Sequence, residues 1–119
     1  MKKTILVVDD ENGIRMLLKE MFSEKGYNVL NAETGTGALD MVEKNKIDLI
    51  IIDYKLPVMD GIKVLKEMEK NNKLIPAILI SGMFENIHQD IKESRLIKGT
   101  LAKPFDIEEL FNKVDTILN

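Results

Sequence analysis

The stretch IDLIIIDYKLPVMDG, residues 47–61, decides the fold, because it leads an almost unbroken apolar segment into one aspartate and then stops. A strand that is apolar on both faces is typical of a parallel sheet covered by helices on each side. Asp53 stands at the end of the apolar segment, and Lys55, Pro57 and Gly61 follow it. A buried carboxylate is unfavourable without compensation. Three kinds of partner would explain it: a structural cation, a metal ion or a reacting group.

Short β-branched apolar segments alternate along the chain with segments of helical periodicity. Strands are predicted at Thr4–Val8, Tyr27–Leu30, Ile47–Ile52, Ala77–Ile80 and Gly99–Ala102. Helices are predicted at Asn12–Lys25, Gly35–Lys44, Ile62–Asn71, Glu85–Ser94 and Ile107–Leu118. This alternation predicts an α/β fold, a doubly wound (βα)5 domain around a five-stranded parallel sheet. We expect the flavodoxin-like strand order 2-1-3-4-5 for a sheet of this size.

Length and composition restrict the class of protein. The chain has 119 residues, which suffices for one domain, residues 1–119. Its net charge of −3, with no basic cluster, argues against a general nucleic-acid or membrane-surface binder. The absence of cysteine excludes disulfides and thiolate metal sites. The sequence shows no signal peptide and no apolar membrane span, so we predict a cytoplasmic protein. We also expect a monomer with no output domain.

Polar side chains follow four of the predicted strands. Asp9 and Asp10 end the first strand, Asp53 the third, Ser81 the fourth and Lys103 the fifth. The functional crevice of such a sheet lies beyond the carboxyl ends of its strands, so these side chains are expected to converge. Carboxylates at close range repel unless a cation lies between them, and hard oxygen ligands suit Mg²⁺. For Asp10 taken alone, a simple helix N-cap stays an alternative.

Four motifs across the whole chain, VVDDE, IDYKLPVMDG, ISG and KPF, resemble the receiver domain of two-component response regulators. The segments DDENGIRMLL and LAKPFDIEEL are most similar to stand-alone, CheY-like receivers of the sporulation-phosphorelay type. The resemblance implies a phosphotransfer protein rather than a turnover enzyme. Such a protein accepts a phosphoryl group from a phosphohistidine of a histidine kinase or histidine phosphotransfer protein and passes it on.

The resemblance also implies a role for each site residue. Asp53 matches the phosphoryl acceptor, and Lys103 matches the lysine that pairs with a phosphoryl oxygen. Asp10, Asp53 and the backbone carbonyl of Lys55 match the Mg²⁺ ligands. Asp9 matches the neighbouring acid that orients the water shell of the metal.

The switch residues match the family only in part. Ser81 matches the switch hydroxyl, and Pro104 matches a cis-proline that directs the preceding lysine inward. Thr100 stands where many receivers carry an aromatic ring that turns inward upon phosphorylation, so coupling through such a ring is not expected here. Leu96-Ile97 stands where a Gly-Ala pair usually closes the fourth helix, which predicts a distorted or frayed helix end.

Two further positions concern the lifetime of the phosphoryl group. Lys55 and Met83 match the positions that flank the attacking water in this family. An ammonium and a thioether offer no acceptor that would position this water, so slow self-dephosphorylation is predicted.

The first helix carries a candidate partner surface. Ile14, Leu17 and Met21 form one apolar stripe, and Leu18 and Phe22 belong to the adjacent one. The residues alone leave open whether both stripes are core. The resemblance implies that the second stripe faces the sheet and that the following residues contact the partner: Gly13, Ile14, Leu17, Tyr54, Pro57, Pro104 and Phe105.

Other functions fit the sequence less well. The alternative within the family is a stand-alone effector that, when phosphorylated, binds a target through its α4-β5-α5 face. A flavin-binding electron carrier would need a phosphate-cradling loop after the first strand, where this chain has VVDDEN. A phosphatase with an aspartate nucleophile usually carries D-x-D, a spacing that Asp9-Asp10 lacks. The intact acceptor, metal and lysine positions disfavour a binding-only pseudo-receiver.

Overall fold

Strands and helices alternate along the whole chain in the computed structural model, which describes residues 2–82 and 87–119. The strands are β1 (Thr4–Val8), β2 (Asn28–Ala32), β3 (Leu49–Asp53), β4 (Ala77–Ser81) and β5 (Ile97–Ala102). The helices are α1 (Asn12–Glu24), α2 (Gly35–Lys44), α3 (Gly61–Lys70), α4 (His88–Glu93) and α5 (Ile107–Leu118). All paired strands are parallel, in the order β2-β1-β3-β4-β5. The predicted fold and strand order are therefore confirmed.

The apolar strands of the sheet separate two cores. Ile50 and Ile52 of β3 pack into the core that α2 and α3 cover. Leu49 and Ile51 of the same strand pack into the core that α1 and α5 cover. Each core thus takes alternate residues of one strand, which is why β3 is apolar throughout. No helix in the described part of the chain is both long and apolar enough to cross a membrane.

Two strands extend one residue further than predicted, and this brings site residues into the sheet. Asp53 is the last residue of β3, and Ser81 is the last residue of β4. The prediction that β5 begins at Gly99 is wrong, because the strand begins at Ile97. Helix α4 lies within the range predicted for it, although residues 85 and 86 of that range fall outside the described residues.

Helix α4 ends before the Leu96-Ile97 pair, which agrees with the irregular helix end predicted there. The helix ends at Glu93, so this pair does not close it. Leu96 is buried just before β5, and Ile97 is the first residue of that strand. The hydroxyl oxygen of Ser94 accepts from the N–H groups of Leu96 at 3.1 Å and Ile97 at 3.3 Å. This side-chain-to-backbone bonding competes with the helix and ends it early, which makes a glycine cap unnecessary.

Candidate functional site

The carboxylate of Asp53 lies at the carboxyl end of β3 and is almost fully buried, with 4% of the residue exposed. Its Oδ2 accepts a hydrogen bond from Lys103 Nζ at 2.8 Å. Its Oδ1 accepts from the backbone N–H of Lys55 at 3.3 Å. The buried charge is thus compensated by an ammonium from β5 and a backbone dipole from the following loop.

The loop after Asp53 brings the chain back into contact with the end of β3. A Cβ on Gly61 would lie 2.4 Å from the backbone oxygen of Asp53, so only glycine fits there. The N–H of Gly61 donates to the carbonyl of Tyr54 at 2.8 Å. Asp60 caps α3 by accepting from the N–H of Lys63 at 2.9 Å. The Asp-Gly pair that ends the stretch 47–61 therefore fixes the loop around the site.

Lys103 enters the site from just beyond the end of β5. Its backbone N–H donates to the carbonyl of Ser81 at 2.8 Å, which joins the ends of β4 and β5. The peptide bond between Lys103 and Pro104 is cis, as predicted. The switch position Ser81 is buried, whereas Thr100 is exposed on β5.

The ammonium of Lys103 contacts three carboxylates. Besides its bond to Asp53, Nζ lies 3.4 Å from Asp9 Oδ2 and 3.6 Å from Glu11 Oε1. Burial by itself lowers the pKa of Lys103, but the hydrogen bond and charge of Asp53, with the charges of Asp9 and Glu11, outweigh this and raise it above its usual value. Lys103 is therefore protonated at neutral pH. Sequence reasoning gave Glu11 no role, although it stands in the VVDDE motif.

The acidic cluster of Asp9, Asp10 and Asp53 fits a hard divalent cation. One carboxylate oxygen from each of the three residues lies within 4.8 Å of the others. Asp9 is 2% exposed, and among the described residues its Oδ2 has no hydrogen-bond partner. Burial raises the pKa of Asp9, and the N–H of Glu11 and the charge of Lys103 offset this only in part. The Lys103 ammonium, 3.4 Å away, forms an ion pair but no hydrogen bond with Asp9 Oδ2, so this buried oxygen can also contact an oxygen-binding cation.

The Asp9→Asn variant is expected to be more stable than the wild type in EDTA, by about 1 kcal/mol. Asparagine keeps the oxygen that accepts from the N–H of Glu11 at 2.9 Å and removes a buried charge that burial disfavours. Thermal unfolding in EDTA and in Mg²⁺ checks this, and Mg²⁺ is expected to stabilise the variant less than the wild type. An Asp40→Asn change on the exposed surface of α2 is the control. A lower melting temperature for Asp9→Asn in EDTA would contradict the expectation.

The two stripes of α1 differ in burial. Leu18 and Phe22 are fully buried against the sheet, as the resemblance implied. Leu17 is 49% exposed, so the alternative that both stripes are entirely core is wrong. Ile14 is half-buried against the core that α1 and α5 cover, and Met21 is half-buried as well.

The remaining residues of the candidate partner surface lie at the same edge of the sheet. Gly13, Pro57 and Pro104 are exposed, while Tyr54 and Phe105 are half-buried against the two cores. Two apolar side chains that the sequence did not single out are also exposed, Met16 at 62% and Val58 completely. Nothing in an apolar pattern alone separates an exposed residue of this kind from a core residue.

The family profile for the response regulator receiver domain matches residues 5–115. The chain belongs to this family. Sporulation initiation phosphotransferase F of Bacillus subtilis (strain 168) is 41% identical to this receiver, over 99% of its length and 95% of that protein. Alkaline phosphatase synthesis transcriptional regulatory protein PhoP of the same strain is 35% identical, and this receiver spans 49% of its length.

A solved receiver structure is similar as well. The response regulator protein TrrA from Thermotoga maritima, in complex with Mg(2+)-BeF, superimposes with a TM-score of 0.84 at 36% identity. The superposition covers 98% of this receiver and 99% of that chain. The acidic cluster of this receiver is thus the acidic pocket of the family.

Proposed function

We propose that this receiver accepts a phosphoryl group from a phosphohistidine of a partner protein onto Asp53 and passes it on in a phosphorelay. The observation that carries the proposal is the Asp53 carboxylate itself, buried at a strand end and held 2.8 Å from the Lys103 ammonium. An oxygen of Asp53 forms the bond to phosphorus while the bond from phosphorus to the imidazole nitrogen breaks. The electron pair of that bond stays on the nitrogen, and the product is an aspartyl phosphate.

The neighbouring residues take complementary roles in this proposal. Lys103 pairs with a phosphoryl oxygen, and the Ser81 hydroxyl donates a hydrogen bond to another. Asp10, Asp53 and the carbonyl of Lys55 hold Mg²⁺, while Asp9 orients its water shell. When bound, Mg²⁺ supplies positive charge for the phosphoryl oxygens.

The support for relay rather than effector function comes from two observations. This receiver aligns with a sporulation initiation phosphotransferase over nearly the full length of both chains. Thr100 is exposed on β5, where many receivers carry the aromatic ring that couples the site to the α4-β5-α5 face. The proposed partners are a histidine kinase or a histidine phosphotransfer protein. The cytoplasmic location and the monomeric state stay predictions from the sequence.

The proposal is tested by incubating the purified receiver with acetyl phosphate and following its intact mass over time. We expect one phosphoryl adduct that forms in Mg²⁺, does not form in EDTA, and persists for hours once the donor is removed. Decay within seconds to minutes would favour the effector, a receiver that is reset quickly. The prediction of slow decay also involves Met83, which lies outside the described residues. No adduct in Mg²⁺ would refute the phosphoacceptor assignment.

A further inference from the structure

We propose that Arg15 is a positioning residue for the Mg²⁺ site, because it fixes the peptide plane that joins Asp9 to Asp10. The inference rests on the proposed function, since it concerns the ligands assigned there. Arg15 lies in α1, and only 13% of its side chain is exposed. Its Nη1 donates to the backbone carbonyl of Asp9 at 2.7 Å, a short charge-assisted hydrogen bond.

This bond, together with one to β2, holds the backbone of Asp9 from both sides. The N–H of Asp9 donates to the carbonyl of Ala32 at 3.2 Å, and its own carbonyl accepts from Arg15. That carbonyl shares a rigid peptide plane with the N–H of Asp10. The guanidinium therefore sets the direction in which the chain leaves β1. Asp10 is exposed, so the direction of its side chain depends on this backbone rather than on burial.

Two further contacts hold the guanidinium in place. Its Nη2 donates to Asn12 Oδ1 at 3.1 Å and lies 3.6 Å from Glu33 Oε2, just beyond β2. A planar guanidinium can meet an acceptor on each side in a fixed geometry, which a lysine ammonium on a flexible stem does less well. Arg15 thus ties the loop that carries Asp10 to the end of the neighbouring strand.

The Arg15→Met variant is expected to bind Mg²⁺ about tenfold more weakly than the wild type, the lower end of the usual effect of removing a group that orients a metal ligand. Isothermal titration calorimetry with Mg²⁺ measures this. The sign of the change is informative, because simple removal of a positive charge near carboxylates would strengthen cation binding. Lys19→Met removes the same charge from an exposed position on the same helix and is expected to bind Mg²⁺ at least as tightly as the wild type.

A second readout separates positioning from general damage to the fold. The rate of phosphoryl uptake from acetyl phosphate is measured against Mg²⁺ concentration. Arg15→Met is expected to need more Mg²⁺ for half of its maximal rate but to reach the wild-type rate at saturation. Arg15→Lys, which keeps the charge but has a single donor nitrogen, is expected to lie between the two. If circular dichroism shows that Arg15→Met does not fold, the Arg15→Lys variant is used to test the inference instead.

Three results would overturn the inference. Unchanged or tighter Mg²⁺ binding by the Arg15 variants would show that the bond to Asp9 does not position a ligand. A lower maximal rate with an unchanged half-saturating Mg²⁺ concentration would show a purely structural role. A wild type that binds no Mg²⁺ and forms no adduct would refute the proposed function and this inference together, whereas the first two results leave the proposed function intact.

Discussion

An Asp53→Asn variant is expected to take up no phosphoryl group from acetyl phosphate under conditions in which the wild type acquires one. Asparagine has the shape of aspartate, and its oxygen can still accept from Lys103 or Lys55, so the strand end keeps its structure. Its amide lacks the anionic oxygen that would form the bond to phosphorus. Intact-mass spectrometry in Mg²⁺ measures the loss, which is expected to be complete.

The chemistry of the bond supplies an independent check. Hydroxylamine cleaves an acyl phosphate but leaves a phosphoserine intact, so the wild-type adduct is expected to disappear in hydroxylamine. Asp40→Asn, which changes an exposed aspartate of α2 in the same way, is expected to form the adduct at the wild-type rate. An adduct that appears in Asp53→Asn and resists hydroxylamine would place the acceptor on another side chain, such as the Ser81 hydroxyl at the end of the adjacent strand.

The fold could be predicted because the sequence shows burial on both faces of its strands. Residues 49–52 are apolar at every position, and the structure uses Leu49 and Ile51 in one core and Ile50 and Ile52 in the other. Such a segment has no solvent-facing residue, so it predicts a sheet with helices on both sides. The strand order needed the size of the sheet and the family resemblance, since periodicity holds no information on which strands are neighbours.

The centre of the site could be predicted for a related reason. Parallel strands end at one edge, so Asp9, Asp53 and Lys103 had to converge once the strands were assigned. The structure places the carboxylates of Asp9 and Asp53 at 3.4 Å and 2.8 Å from the Lys103 ammonium. The predicted end of β3 came one residue too early, because Asp53 ends the apolar run in the sequence. In the structure Asp53 still belongs to the strand and pairs with Ile80 of β4.

The contacts around the centre could not be predicted, because they join side chains from different elements. From the helical periodicity of α1, Arg15 is expected only to lie on the same face of the helix as Leu18. In the structure its guanidinium donates a hydrogen bond to the backbone carbonyl of Asp9. Likewise, helical periodicity continued to Ser94, whose hydroxyl instead accepts from two N–H groups of the chain that leads into β5. Local hydrogen bonding of this kind overrides periodicity at element ends.

A Lys103→Met variant is expected to take up the phosphoryl group about 100-fold more slowly than the wild type, the usual effect of removing one group that stabilises developing charge. Methionine keeps most of the length of the side chain but removes the ammonium that lies 2.8 Å from Asp53 Oδ2. The buried carboxylates also lose their compensating charge, which is expected to lower the free energy of unfolding in EDTA by about 3 kcal/mol. Initial rates of adduct formation and chemical denaturation measure the two effects.

Mg²⁺ is expected to separate the two effects of Lys103→Met. A divalent cation compensates the charges of Asp9 and Asp53 as the ammonium does, so saturating Mg²⁺ is expected to restore most of the lost stability. It is not expected to restore the rate, because the group that pairs with a phosphoryl oxygen is still missing. Lys63→Met, at an exposed position of α3, controls for the loss of one positive charge and is expected to keep the wild-type rate. A wild-type rate in Lys103→Met would mean that the ammonium only balances the resting charge of Asp53 and takes no part in phosphoryl transfer.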